Sequence, residues 1–396
     1  MLAIYLAPVY ILLNLYVLRW SYLWIGNCHH LFQSTVFRVI LAIVYVLIST
    51  TPLTGFLIKK PASLHRILKV TSNYFLGIFV YILMIVLSAD IIRLILKYVF
   101  HASWIHSRVA FAIAGAICIF SVLLISIRGI YHAKHINATP YEVTVDKSAG
   151  ELDSLKIVLI ADTHFGYNAG TIHAKEIVKK INKQNPDLVC IAGDIFDNEY
   201  EALQNPDKIA KTLAGIKSRY GSFGVFGNHD VTERLLGGFS VTSKENEVRD
   251  PRFEEFAKKA GIQMLDDEVT LIDDAFYLVG RKDVQKPGDG TTNRMEPEEI
   301  LGDLNKTKPI IVLEHQPKQL GELEAAGADM QLCGHTHDGQ MFPGNLTIKL
   351  MWENACGYLT KGHLHSIVTS GVGVWGPAMR VGTDCEICPI TVHFQG

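Results

Sequence analysis

The chain has 396 residues, 49% of them hydrophobic, with a mean hydropathy of +0.21 and a formal net charge of −2. That excludes a disordered chain, a small disulfide scaffold and a simple soluble monodomain. The average hides two halves: residues 1–140 hold eleven Lys/Arg and one acid, Asp90, a balance of +10, and the remainder sums to −12. This acidic half lacks the basic excess that neutralising nucleic-acid phosphates requires, so no nucleic-acid partner is expected.

Four apolar stretches come first, Leu2–Ile25, Val36–Ile58, Tyr74–Phe100 and Val109–Tyr131, each long enough to cross a bilayer and almost free of ionisable groups. A cleaved signal peptide would not be followed by three more such runs, so the first is read as a retained span. The loop Lys59–Lys69 carries four Lys/Arg in eleven residues and is placed in the cytoplasm. Arg93 and Lys97, at the end of the third stretch, and Arg108 in the loop after it pull the other way. With four spans, a multi-pass cell-membrane protein with its C-terminal half in the cytoplasm is expected. Asp90 and Arg93 read as an i, i+3 pair near the interface, and His29-His30 as interfacial residues.

From Tyr141 onward short apolar runs alternate with amphipathic segments, the signature of a layered α/β domain. Strands are predicted at Tyr141–Val145, Lys156–Ala161, Leu188–Ala192, Phe223–Phe226, Ile310–Leu313 and Met330–Cys333. Helices are predicted at Ala174–Gln184, Pro206–Tyr220, Pro251–Ala260 and Pro297–Asn305. The expected organisation is a four-span transmembrane region over 1–135, a linker with a first strand over 136–155, and a catalytic domain over 156–396. Two polar, Gly-containing segments, Leu236–Asp250 and Lys282–Pro297, are candidate functional loops, with Arg281 and Arg294 as the bases available there to clamp a phosphate.

Seven cysteines are an odd number over a long chain and suit free thiols in a reducing compartment. Cys385 and Cys388 form one CxxC without a second pair, read as a structural strand end rather than a zinc or redox site. Cys190 and Cys333 lie within strands as small apolar residues, and His363 and His365 receive no role.

The chemistry lies in the residues just past each strand. Asp162-Thr-His164 succeeds one, Gly193-Asp194-Ile-Phe-Asp197 the next, then Gly227-Asn228-His229-Asp230, Glu314-His315 and Gly334-His335-Thr-His337. Open α/β sheets place ligands just past the carboxyl ends of strands. Any one of these groups is ordinary turn chemistry; five in one chain are not.

The ordered set DxH, GDxxD, GNHD, H and GHTH resembles the calcineurin-like metallophosphoesterases over residues 150–396. The runs Gly334–Gln340 and Ser370–Arg380 look like that family's membrane-associated branch. The fold this implies is a layered β-sandwich flanked by helices, behind an all-α transmembrane bundle. The resemblance implies two divalent ions, Mn, Fe, Zn or Mg with Mn favoured, and an N/O donor set without thiolate suits them. One ion would take Asp162, His164, Asp194 and His337; the other Asp194, Asn228, His315 and His335. Such a pair activates a shared water and neutralises a phosphoryl group. His229, left without a metal, is assigned to the leaving group as a proton or hydrogen-bond donor. Asp230 has two readings, orienting His229 or capping a helix, and Asp197 is expected to hold a ligand histidine by its outer nitrogen.

The leading expectation is a membrane-anchored hydrolase of a phosphate ester or pyrophosphate, acting on a lipid-linked or amphiphilic substrate. The alternatives are a phosphodiesterase or phosphatase for a soluble metabolite, and a transmembrane sensor with phosphoesterase output.

Overall fold

The computed structural model describes residues 2–236, 239–240, 248–291 and 293–396. The chain folds as two compact units.

The helical unit holds α1 (Leu2–Cys28), α2 (Thr35–Ser49), α3 (Thr51–Leu57), α4 (Ala62–Tyr98) and most of α5 (Arg108–His132). Gly376–Met379 and a short ribbon, Leu235–Leu236 paired with Phe239–Ser240, belong to it too. α1, α4 and α5 are long and apolar enough to cross a membrane, and the count becomes four if α2 and α3, bent by 52° where Thr50 joins them, form one span. The stretch expected as the second span is thus divided into two helices: Pro52 near the start of α3 cannot donate to the preceding turn. Leu12, Leu47, Phe120 and Ile127 lie exposed on these helices, at 66%, 65%, 68% and 66%. Lipid satisfies such side chains where water would not. Asp90 is tied by the Tyr16 hydroxyl of α1 at 2.7 Å, so its polar link runs between helices rather than along α4 to Arg93.

The second unit is built from two sheets. Its strands and helices run β1 (Ile136–Ala138), β2 (Tyr141–Val145), β3 (Ser154–Ile160), α6 (Thr171–Gln184), β4 (Leu188–Ala192), α7 (Pro206–Leu213) and β5 (Ser222–Val225). After the ribbon, β6 (Leu235–Leu236) and β7 (Phe239–Ser240), come α8 (Pro251–Lys259), β8 (Ile262–Met264), β9 (Glu268–Ile272), β10 (Phe276–Gly280), α9 (Pro297–Leu301) and β11 (Ile310–Leu313). The chain closes with α10 (Leu320–Ala325), β12 (Met330–Cys333), α11 (Gly344–Thr347), β13 (Gly357–Lys361), β14 (Leu364–Val368) and β15 (Cys385–Phe394). One sheet has the order β1-β15-β3-β4-β5-β8 with β2 also on β15, the other β13-β14-β12-β11-β10-β9.

Alternation along the strands builds the layers. Leu155, Ile157 and Leu159 of β3 face Phe276, Leu278, Ile311, Leu313 and Leu332 of the other sheet, all sealed from solvent. Val158 and Ile160 point the opposite way, onto Ile177 and Ile181 of α6, Ile209 of α7 and Phe253 of α8. The outer face of the second sheet, Val279, Ile310 and Val312, is covered by Leu301 of α9 and Leu323 of α10. Helices thus sandwich two face-packed sheets. Each sealed aliphatic side chain contributes about 1.5–3 kcal/mol.

Several expectations change. The helix drawn to Tyr220 stops at Leu213, just before Gly215, and the one drawn to Asn305 stops at Leu301, where Gly302 caps it. Three residues, Ala133–His135, link α5 to β1, so the free tether is far shorter than the expected linker. Cys385 and Cys388 of β15 enter opposite cores, which separates their thiols and leaves them structural. Cys190 and Cys333 are buried as small apolar residues. Most of Leu236–Asp250 lies outside the described residues.

Candidate metal centre

β3, β4 and β5 are parallel neighbours in one sheet, and β11 and β12 in the other, so their carboxyl ends bring the five motifs together. Backbone bonds fix the meeting: Asp162 N–H donates to Gly193 O at 2.9 Å, His164 N–H to Asp194 O at 3.1 Å and Gly334 N–H to His315 O at 3.0 Å. The chain turns sharply at three of the five motifs. Asp162, His164, Asp194, His335 and His337 all have positive φ, between 42° and 75°. For non-glycine residues this conformation is strained, and it gathers at functional sites held by the surrounding structure. The motif glycines allow close approach: a Cβ on Gly227 would lie 2.2 Å from Asp194 Oδ1, and one on Gly334 2.5 Å from Asp162 Oδ2.

Three sets of potential ligand atoms lie together: Asp162, His164 and His337 in the first, Asp194, His315 and His335 in the second, and His164, Asp197 and His229 in a third that shares His164 with the first. Within the first, His164 Nε2 lies 3.1 Å from His337 Nε2, and His337 Nε2 3.5 Å from Asp162 Oδ1. Within the second, His315 Nε2 is 3.1 Å from Asp194 Oδ2, 3.1 Å from Asn228 Oδ1 and 3.2 Å from His335 Nδ1. With metal–ligand bonds of about 2.1 Å, ligand atoms in one coordination shell sit roughly 3.0–3.4 Å apart. The observed spacings are close to these edges, so the residues fit two divalent ions. Asp194 Oδ1 accepts the His229 N–H at 2.8 Å, leaving Oδ2, which is 3.1 Å from His315 and 3.7 Å from His164, to face both groups. Oδ2 is thus the Asp194 oxygen that would be available to divalent ions.

Electrostatics agree with a cation site. Burial pushes Asp162 up to about 7 and lowers His164 to about 3. Burial also drives His335 and His337 well below the ordinary histidine value, which leaves their lone pairs free to ligate. For His315 burial works downward, but the adjoining Asp194 carboxylate outweighs it and holds the ring protonated; His315 in turn keeps Asp194 well below the usual carboxylate range despite its burial. His164 Nδ1 is buried without a hydrogen-bond partner, and Asp197 Oδ1 is 3.9 Å away. Asp197 thus lies beside that nitrogen but beyond hydrogen-bond distance, so the expected grip on a ligand histidine is not made.

Other expectations are corrected. Asp230 does not orient His229: its carboxylate accepts from Phe196 N–H at 2.8 Å and Gly227 N–H at 2.7 Å, and it starts no helix. It pins the β4 and β5 loops together. Arg281 and Arg294 are not phosphate clamps, because both are buried on Glu314 Oε2, at 3.0 and 2.6 Å. His363 pairs with Glu324 and His365 with the Tyr358 hydroxyl, away from the motifs.

Three residues stand at the site that the sequence did not assign to it. Asn198 Oδ1 lies 2.7 Å from His229 Nδ1. The fully buried Arg380 donates to His337 O at 3.1 Å and to Gly373 O at 2.8 Å, with Nη2 3.2 Å from His337 Nδ1. Trp375 packs its ring on His229, centroids 5.7 Å apart, held by a two-way pairing of its backbone with the Gln340 amide. The arginine closing the Gly-rich run Ser370–Arg380 was the available signal; Asn198 next to Asp197 gave none.

The profile of the calcineurin-like phosphoesterases matches residues 155–339. An uncharacterized metallophosphoesterase of Campylobacter jejuni is 32% identical over 281 residues, covering 70% of this chain and 69% of that one. The chain belongs to the calcineurin-like phosphoesterases. A "transmembrane protein with metallophosphoesterase domain" from Danio rerio is 31% identical over 265 residues, 63% of this chain and 56% of that protein. The chain therefore spans little more than half of that relative's length. A protein named UDP-2,3-diacylglucosamine pyrophosphatase LpxG, from Chlamydia trachomatis, is 22% identical over 262 residues, 55% of this chain and 77% of that one. Membership of this family, the α/β domain of two packed sheets flanked by helices and the apolar helices agree with the fold expected from sequence.

Proposed function

We propose that this protein is a membrane-anchored, metal-dependent phosphoester hydrolase acting on a lipid-linked or amphiphilic phosphate ester or pyrophosphate. The observation that carries the reading is the pair of adjoining donor groups facing one oxygen of Asp194, in a chain that also holds bilayer-length helices. Asp162, His164, Asp194 and His337 would hold one divalent ion, and Asp194, Asn228, His315 and His335 the other. When bound, the ions supply Lewis-acid activation of water and neutralise the phosphoryl charge. The chain supplies the rest. His229, which the family pattern leaves outside the two ligand sets, gives a proton or hydrogen bond to the leaving oxygen as the P–O bond breaks. Trp375 walls His229, and Trp352 stands edge-on to His335 at 5.2 Å, so rings flank both ends of the donor set. The name of the Chlamydia relative supports an amphiphilic diphosphate as the substrate class. The basic segment Lys59–Lys69, which runs into the first turns of α4, supports a cytoplasmic catalytic domain.

The test is purified full-length protein with Mn, given total lipid extract or a panel of soluble nucleotides. Release of phosphate or headgroup from the lipids is expected. Turnover confined to nucleotides would favour the soluble-metabolite reading. A sensor reading has one observation in its favour, a cavity of about 750 Å³ in the helical unit lined by Trp20, Asp90, Arg93, Trp104 and Cys118. A ligand of that cavity changing turnover would support it.

A further inference from the structure

We infer that Asn198 is the positioning residue of His229, fixing which ring nitrogen faces the reaction; this rests on the proposed role of His229 at the leaving group. Asn198 is 2% exposed and holds a left-handed backbone, φ 62°. Its backbone N–H donates to His229 O at 3.1 Å and its Oδ1 meets His229 Nδ1 at 2.7 Å, so it grips the histidine by main chain and ring.

The direction of the amide is set from behind. Glu233, 2% exposed, places Oε2 2.7 Å from Lys286 Nζ and 3.3 Å from Asn198 Nδ2. An ionised carboxylate can only accept, so the amide NH₂ must face Glu233 and its oxygen must face the ring. The hydrogen on His229 Nδ1 is then held by Asn198, and Nε2 is the nitrogen left to exchange protons. It takes one from solvent and delivers it to the departing oxygen as the P–O bond breaks, and the ring returns to the same neutral tautomer. Asp230 is unavailable for the task, since both its oxygens hold backbone N–H groups.

The experiment uses full-length protein loaded with Mn and a series of aryl phosphodiesters, from a nitrophenyl to an unsubstituted phenyl leaving group. Asn198→Ala should lower kcat about a hundredfold on the phenyl ester and less than about threefold on the nitrophenyl ester. KM and bound Mn should stay within about twofold. Because Asn198 is buried, the exchange Asn198→Asp with Glu233→Gln is the control: it reverses the donor and acceptor while keeping an oxygen on His229, and should recover most of the phenyl-ester rate. In a His229→Ala background Asn198→Ala should cost nothing more. A uniform loss across leaving groups, loss of Mn, no recovery by the exchange, or an additive loss in the His229→Ala background would overturn the inference. Unchanged turnover in His229→Ala itself would instead overturn the role proposed for His229.

Discussion

Asp194 divides its labour between two oxygens, one tied to the His229 N–H and the other turned to both donor groups. Replacing it should therefore do more than remove a ligand. Asp194→Ala is expected to lose activity and most bound metal together. His229→Ala should lose activity by about 10²–10⁴-fold with metal retained. Elemental analysis finding two ions per chain in Asp194→Ala would sink the bridge. The protonation states give a second prediction. Without ions, Asp162 titrates near 7 because of burial, and Asp194 holds a proton on His315. Divalent ions must displace these protons, so loading near neutral pH should release protons and affinity should fall as pH falls. Calorimetry in buffers of different ionisation enthalpy checks this: a binding heat independent of the buffer would contradict it.

At the scale of elements, the site is made by loops at strand ends and defended by buried polar groups beneath them. Glu314 follows β11 directly, before His315, and carries Arg281 and Arg294 on one oxygen while Gln331 donates to the other at 2.6 Å. Removing the carboxylate strands two buried guanidinium groups. Glu314→Ala should cost about 3–5 kcal/mol of stability, read by denaturant unfolding, and a loss under about 1 kcal/mol would mean the arginines find other partners. The sequence showed Glu314-His315 as a motif because it follows an apolar strand. It could not show Arg281 and Arg294 converging there, because they come from a different strand end and loop. Asp230 and Asn198 illustrate the same limit: each sits beside a recognised motif residue, yet the left-handed turns decide which of them reaches His229.

For the whole molecule, the spans and the metal domain are joined by three residues between α5 and β1, and β1 pairs with β15 from residue 136. A truncation should therefore begin at Ala133, since one at Tyr141 would remove a strand. The truncated protein is expected to retain hydrolysis of a small soluble diester and to lose turnover of a lipid substrate in vesicles; equal losses on both would remove the case for a lipid substrate. Sidedness is testable separately. A cysteine in place of the exposed Lys349, in a chain without its native cysteines, should resist impermeant thiol reagents in intact cells. Ready labelling would reverse the proposed topology.

Sequence by itself determined the apolar stretches and the order of strands bearing the motifs, because hydrophobic periodicity and strand-end chemistry are local properties written in consecutive residues; the seven candidate ligands are what the family resemblance of those motifs implies. Tertiary structure decided the break between α2 and α3, the capture of β1 by β15, and the division of the ligands into two groups around one oxygen of Asp194. It also decided that Asn198 rather than Asp230 serves His229. The physical reason is common to all of these. A three-residue strand is set by its partner and not by its own period, and the direction of a side chain on a strained turn is set by neighbours distant in sequence that no local pattern records.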